Sequence, residues 1–220
     1  LPRASCCGSS SFFPKPPLMS KLFRFVCVLT VALMALAGCD DPPVPKPRGY
    51  HRIEFPAFEY APYAHPCGVS FEVPVYSKIE RIERGAPEAG ICWFNCAVPR
   101  FSAKLHCTLM PIDNEAQFAS LVEDTHQMVF SHEMKAAGIR TQQFDFPERH
   151  VSGVLYNLQG PVASPIQFFA TDSTAHFLRG SLYFDHAPNP DSLQPSLAHI
   201  EQDIVHLIET LAWTESANAP

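Results

Sequence analysis

Asp172, Ser173 and His176 set a carboxylate, a hydroxyl and an imidazole in one short stretch, the side-chain types of a nucleophilic triad. An Asx turn accounts for Asp172 and Ser173 without chemistry, because a short acceptor side chain caps its own turn. His199, Asp203 and His206 recur at steps of four and three, which keeps them on one side of a helix. A metal could sit there, but exposed helical His and Asp are more simply solvated. Ser131-His132-Glu133 lacks the second His of a zinc-protease helix. Neither a Gly-x-Ser-x-Gly elbow nor a Gly-rich phosphate loop occurs. The expectation is a protein with no catalytic residue, no metal and no cofactor.

The cysteines carry a second chemistry. The chain has 8, of which Cys67, Cys92, Cys96 and Cys107 fall in its central part. Four thiols allow three pairings. Cys96 and Cys107 flank a turn around Pro99-Arg100-Phe101-Ser102, where a hairpin could bring them opposite each other, leaving Cys67 for Cys92. Zinc is the competing use, since Cys92-Trp93-Phe94-Asn95-Cys96 has ligand-like spacing. No second close pair follows, and an exported chain favours disulfides.

Export is read from the N-terminal part. Met19 to Arg24 carries Lys21 and Arg24, and an apolar run follows from Phe25 to Ala37. As a helix that run is roughly 20 Å long, short of a bilayer core of about 30 Å. A basic start, a short apolar centre and small residues at its end describe a secretory signal. Leu36-Ala37-Gly38-Cys39 is a lipobox, in which the Cys39 thiol takes the lipid. Residues 1–18 read as an extension upstream of the start, 19–38 as the lipoprotein signal, and 39–50 as a tether. Prolines at 42, 43, 45 and 47 hold that tether extended. Arg48 and Tyr50 at its end are candidate docking residues.

The remainder, 51–213, reads as a single globular domain with a tail at 214–220. Strands are expected at 70–76, 91–96, 102–110, 151–159, 166–171 and 175–185. One helix should start at an Asp113 or Asn114 cap and stop near Gly138. A second should run from about Asp191 to Leu211, with Pro195 in its first turn. This is an α+β domain, an antiparallel sheet with two main covering helices. Its arrangement is similar in fold to the PsbP-like family. Along 175–185, Leu178, Gly180, Leu182 and Phe184 share one face and read as core. Phe177, Arg179, Ser181 and Tyr183 share the other. That mixed face, with Asp172 and His176 in the turn before it, is the candidate interaction site, because Arg and aromatic side chains favour binding hot spots.

Charge narrows the partners. The chain has 22 Asp and Glu against 16 Lys and Arg, net −6. Loss of residues 1–38 removes Arg3, Lys15, Lys21 and Arg24 and no acid, which takes the net charge to −10. Nucleic acid is not an expected partner, because phosphate binding needs clustered bases. The membrane is reached through the lipid rather than the protein surface.

Several segments together resemble the gliding-motility lipoprotein GldD family of Bacteroidetes: Pro45 to Tyr50, Phe71 to Tyr76, Cys92 to Asn95, Pro99 to Phe101, Phe168 to Phe184, and Asp203 to Trp213. The resemblance implies a non-enzymatic envelope lipoprotein facing the periplasm. It would be required for gliding and for the associated type IX secretion, with other proteins of that machinery as partners. It also implies that Cys67 and Cys92 occupy the family's cysteine positions, whereas Cys96 and Cys107 replace aliphatic residues. The competing function is a ligand-binding lipoprotein or small hydrolase using the 172–186 region. Mass spectrometry of the mature N-terminal peptide should find Cys39 acylated; an intact chain beginning before Met19 would contradict this.

Overall fold

Apolar side chains that alternate along a strand can be buried on one face at a time, and antiparallel neighbours let each face find its own cover. A computed structural model describes residues 18–36, 53–82, 90–131, 136–185 and 189–214. The chain divides into two compact units, 1–49 and 50–220. In the first, helix α1 (Leu18–Leu36) spans the basic start and apolar run. No described helix is long and apolar enough to cross a membrane. Cys39, Arg48 and Tyr50 lie outside the described residues.

The second unit is an α+β domain. Its strands are β1 (Tyr60–His65), β2 (Val69–Pro74), β3 (Lys78–Ile82), β4 (Cys92–Val98), β5 (Ala103–Pro111), β6 (Gly138–Phe146), β7 (Val151–Gln159), β8 (Ile166–Thr171), β9 (His176–Phe184) and β10 (Ala212–Trp213). Seven make an antiparallel sheet in the order β3-β4-β5-β9-β8-β7-β6, and β1-β2-β10 form a smaller one. Helix α2 (Glu115–Phe130) begins where Asn114 Oδ1 accepts from the Gln117 N–H, an N-cap that satisfies one orphan donor. Helix α3 (Pro190–Thr210) begins with Pro190, whose missing N–H costs nothing there.

The helices take opposite faces of the large sheet. Ile200, Ile204, Leu207 and Ile208 of α3 cluster with Phe94, Leu105, Phe168, Leu178 and Leu182, and with Val69 and Phe71 of β2. Val129 of α2, with Phe118, Leu121 and Val122 beside it, clusters with Val154, Phe169 and Phe177. Each such side chain stabilises the fold by about 1.5–3 kcal/mol on full burial. Leu178 and Leu182 are core as expected, and Gly180 is needed between them. A Cβ there would lie 2.2 Å from the Phe168 ring.

Three expectations are corrected. The first helix stops at Phe130, and Gly138 opens the edge strand β6. Pro195 lies beyond the first turn of α3, where it removes a helical hydrogen bond. The third concerns the cysteines. Cys67 and Cys92 form a disulfide with Cα atoms 6.4 Å apart, which ties the β1–β2 turn to β4. Cys96 and Cys107 are free and buried. The 3-10 turn Pro99–Phe101 and left-handed Ser102 place Val98 opposite Ala103, so Cys96 faces Leu105 and Cys107 faces Phe94. The two residues are thus diagonal neighbours with Cα atoms about 7–8 Å apart, too far for a bridge without backbone movement. Burial pushes the Cys96 thiol up to about 11 and the Cys107 thiol well above its ordinary value.

Reduction should cost the domain about 3 kcal/mol, from the loop of 25 residues that Cys67–Cys92 closes. Between residues 53 and 214, Cys96 and Cys107 should resist maleimide in the native state and react after unfolding without reductant. Cys67 and Cys92 should need reduction first. Peptide mass spectrometry reads the outcome, and a Cys96–Cys107 bridged peptide would reverse it.

Candidate functional site

The steps of four and three that align His199, Asp203 and His206 on α3 turn Asp203 and His206 to the smaller sheet and His199 to Tyr76 and the Phe55–Phe58 segment, which corrects the expectation of a solvated helix face. Asp203 is 4 % exposed. Tyr60 Oη donates to its Oδ1 at 3.1 Å, and Tyr76 Oη donates to its Oδ2. Tyr76 Oη is also 3.0 Å from His199 Nε2. Because its one proton goes to the carboxylate, the Tyr76 oxygen must accept from His199, which places a hydrogen on Nε2. Phe55 and Phe58 stack on the His199 ring at 5.0 and 4.4 Å. Burial pulls the His199 pKa down, against the charge of Asp203, and pushes Asp203 up against its tyrosine hydrogen bonds. Both tyrosines are pushed up, first by burial and then by Asp203. His206 turns away to Glu72, 2.7 Å from Nε2 to Oε2, and stacks on Tyr60 at 3.7 Å. Among the described residues no group of His, Cys, Asp and Glu is placed to hold a metal.

The turn before β9 uses its polar atoms locally. Asp172 Oδ1 accepts from the N–H groups of Thr174, Ala175 and His176, and Oδ2 pairs with His176 Nδ1 at 2.6 Å. Ser173 takes part through its N–H, donated to Thr171 Oγ1, at a left-handed φ of 64°. Asp172 is therefore the Asx cap that its position indicates. Burial raises its pKa, but bonds from Ala175, His176 and Thr174 outweigh that and bring it to about 2. His176 stacks on Trp213 at 5.0 Å, and Trp213 Nε1 donates to the His150 carbonyl. The short strand after α3 is thus fastened across two turns.

The mixed face of β9 divides. Phe177 is fully buried under α2, and so belongs to the core rather than to an interaction surface. Arg179 is half-buried, with Nη1 donating to Met128 Sδ at 3.1 Å. Burial lowers its pKa, opposed by Asp124. Tyr183 remains 38 % exposed and meets His106 edge-on at 5.4 Å. Parity carries this face across β5, β4 and β3, where His106 and Glu80 are exposed and Lys104 is half-buried. Lys104 and Glu80 pair at 3.5 Å. Asn95, His106, Ser181 and Gln167 lie in one transverse row. At its two ends Asn95 Oδ1 and Gln167 Nε2 are buried without a hydrogen-bond partner.

Of the expected residues, the structure brings Asp172 with His176 and leaves Tyr183 beside His106. It separates Arg179 from them by tucking it against α2. The Asp203 group had one visible signal, the spacing of its helix, and no signal of the tyrosines that meet it. This is an α+β domain whose buried polar groups join its elements and whose sheet offers a broad mixed face. The model for the gliding motility lipoprotein GldD family matches residues 40–213. The chain belongs to that family and is a gliding-motility-associated lipoprotein. The match opens one residue after Cys39. No curated protein sequence matches the chain.

Asp172→Ala should cost about 2–3 kcal/mol at pH 7, the worth of several charge-assisted bonds. A carboxyl with a depressed folded pKa stabilises above its unfolded value and loses that contribution as pH falls through the folded one. The gap between variant and unaltered protein should therefore close between about pH 4 and about pH 2. Urea titrations at the two ends of that range measure it.

Proposed function

We propose that this protein is a non-enzymatic, lipid-anchored component of the cell envelope, required for gliding and for the associated type IX protein secretion of Bacteroidetes. Its domain faces the periplasm on the 39–50 tether and acts by docking with other proteins of that machinery. The observation that carries the reading is the continuation of the β9 face over β5, β4 and β3. There His106 and Tyr183 pair in the open, with the buried, unpartnered Asn95 Oδ1 on the neighbouring strand. Aromatic side chains beside unpaired polar groups are the makings of a binding patch. Asp172, by contrast, has both oxygens engaged in its own turn.

A second reading, a ligand-binding lipoprotein, has one observation in its favour. A cavity of about 450 Å³ lies between α3 and the end of β7, with Leu158, Val162, Leu193 and Phe184 among its walls. That volume is within the range of small-molecule sites.

His106→Ala with Tyr183→Ala should abolish gliding and secretion while lipidation and abundance stay normal and Tm moves by less than about 4 °C. A fully motile, secreting strain carrying both changes would remove the docking face from the reading.

A further inference from the structure

Among the described residues, strand β6 is an unprotected edge of the large sheet. Leu158 N donates to Pro165 O at 2.8 Å, so even-numbered residues of β7 direct their backbone groups to β8 and odd-numbered ones to β6. The register pairs Arg140 with Asn157 and Gln142 with Leu155. The even residues of β6 therefore bond to β7, while Ile139, Thr141, Gln143 and Asp145 present their N–H and C=O groups outward. Residues 140–143 are all exposed. The other edges are guarded. Strand β3 has 5 residues and carries Lys78, Glu80 and Arg81; β1 contains Pro62. Charges, brevity and proline are the usual protections against strand addition. Strand β6 has 9 residues without proline, and of its two charges Arg140 is paired with Glu201 of α3 while Asp145 lies on the α2 side.

A groove of about 750 Å³ opens beside this edge, between α2 and the sheet. Phe118, Val122 and Phe169 give it apolar walls, while Glu115, Glu123 and Asp145 bring three carboxylates and none of the described lining residues is basic. None of the three makes an ion pair among the described residues. Side chains of an added strand alternate between the two faces, so every second one would point toward this groove. A Lys or Arg suits it, with its methylene stem on Phe118 and Val122 and its charge among the acids.

We infer that the β6 edge takes up an extended, basic segment of a partner protein as an eighth strand, with a Lys or Arg side chain in the acidic groove under α2. Main-chain hydrogen bonds to Ile139, Thr141, Gln143 and Asp145 supply the pairing, and the groove supplies the preference for positive charge. A second copy of this chain is the poorer occupant. Two acidic grooves would be brought side by side in a protein of net charge −6. The surface is separate from the His106–Tyr183 face, so either can fail without the other.

The full chain should be titrated with a labelled peptide of nine residues, alternating Thr and Val with a central Lys, and binding followed by fluorescence anisotropy. Saturable binding is expected, weakened about tenfold or more when Glu replaces the Lys. Glu123→Lys with Asp145→Lys in the protein should weaken it similarly. Amide hydrogen exchange should slow at Ile139, Thr141, Gln143 and Asp145 when the peptide is bound. N-methylation of alternate peptide nitrogens should abolish binding without altering the protein, whereas Gln143→Pro tests the same bonds from the other side. The inference is overturned by absence of saturable binding, by equal affinity for the Lys and Glu peptides, or by binding that survives N-methylation. A dimer in sedimentation that Gln143→Pro dissolves would also overturn it, giving the edge to a second copy.

Discussion

Asp203 is a carboxylate held at an apolar junction, and a buried carboxylate is tolerated only where hydrogen-bond donors converge on it. Tyr60 and Tyr76 converge, one from β1 and one from just before β3, and His199 completes the set through Tyr76. The two tyrosines are 143 and 127 residues from Asp203 in sequence. Hydrophobic clustering alone would let α3 slide or rotate over the sheet, since apolar contact has little directional preference. The carboxylate fixes the helix in one setting. In doing so it also fixes the smaller sheet and the Phe55–Phe58 segment against the larger one.

With α3 so placed, the architecture leaves different surfaces on the two sides of the large sheet. The α3 side is filled by helix, smaller sheet and aromatic segment together. Among the described residues, the α2 side is covered by one helix of 16 residues, packed over Val154, Phe169 and Phe177. A helix is about 10–12 Å across and cannot shield a seven-stranded sheet whose strands lie roughly 4.8 Å apart. Sheet is left over on both sides of it. Toward β3 this gives the mixed face with His106 and Tyr183; toward β6 it gives the acidic groove and the bare edge. Both surfaces have the same cause, a sheet wider than its cover.

Legibility in the sequence followed burial. Strands β7 and β8 were readable to their ends because Val, Leu, Ile and Phe recur between clear turns, and β9 to within a residue. Strands β1, β3 and β6 were not. Tyr-Ala-Pro-Tyr, Lys-Ile-Glu-Arg-Ile and Arg-Thr-Gln-Gln lack alternation because edge strands bury little. Asp172 was legible as a cap because all its partners lie within four residues. Asp203 was not, because nothing near it in sequence reveals a tyrosine arriving from another sheet. The Cys96–Cys107 pairing failed on register. The hairpin itself was visible, but the geometry of Pro99–Phe101 decides which residues face each other, and composition does not encode it.

The segment from Ile53 to Glu59 has a consequence for how force enters the domain. Any tension transmitted along the chain from the lipobox side must reach this segment before it reaches a strand. Its holds include Phe55 and Phe58 against His199, Phe55 against Phe101, the Glu54 carbonyl accepting from Arg100 and the Glu59 carbonyl accepting from Val75 N–H. The next attachments are Tyr60 on Asp203 and the ladder of β1 against β2. The aromatic stack is thus in series with the buried carboxylate, and α3 and the seven-stranded sheet lie behind both. A domain wired in this way gives up its peripheral contacts first when pulled, and keeps both uncovered parts of its sheet intact until the Asp203 junction itself gives way.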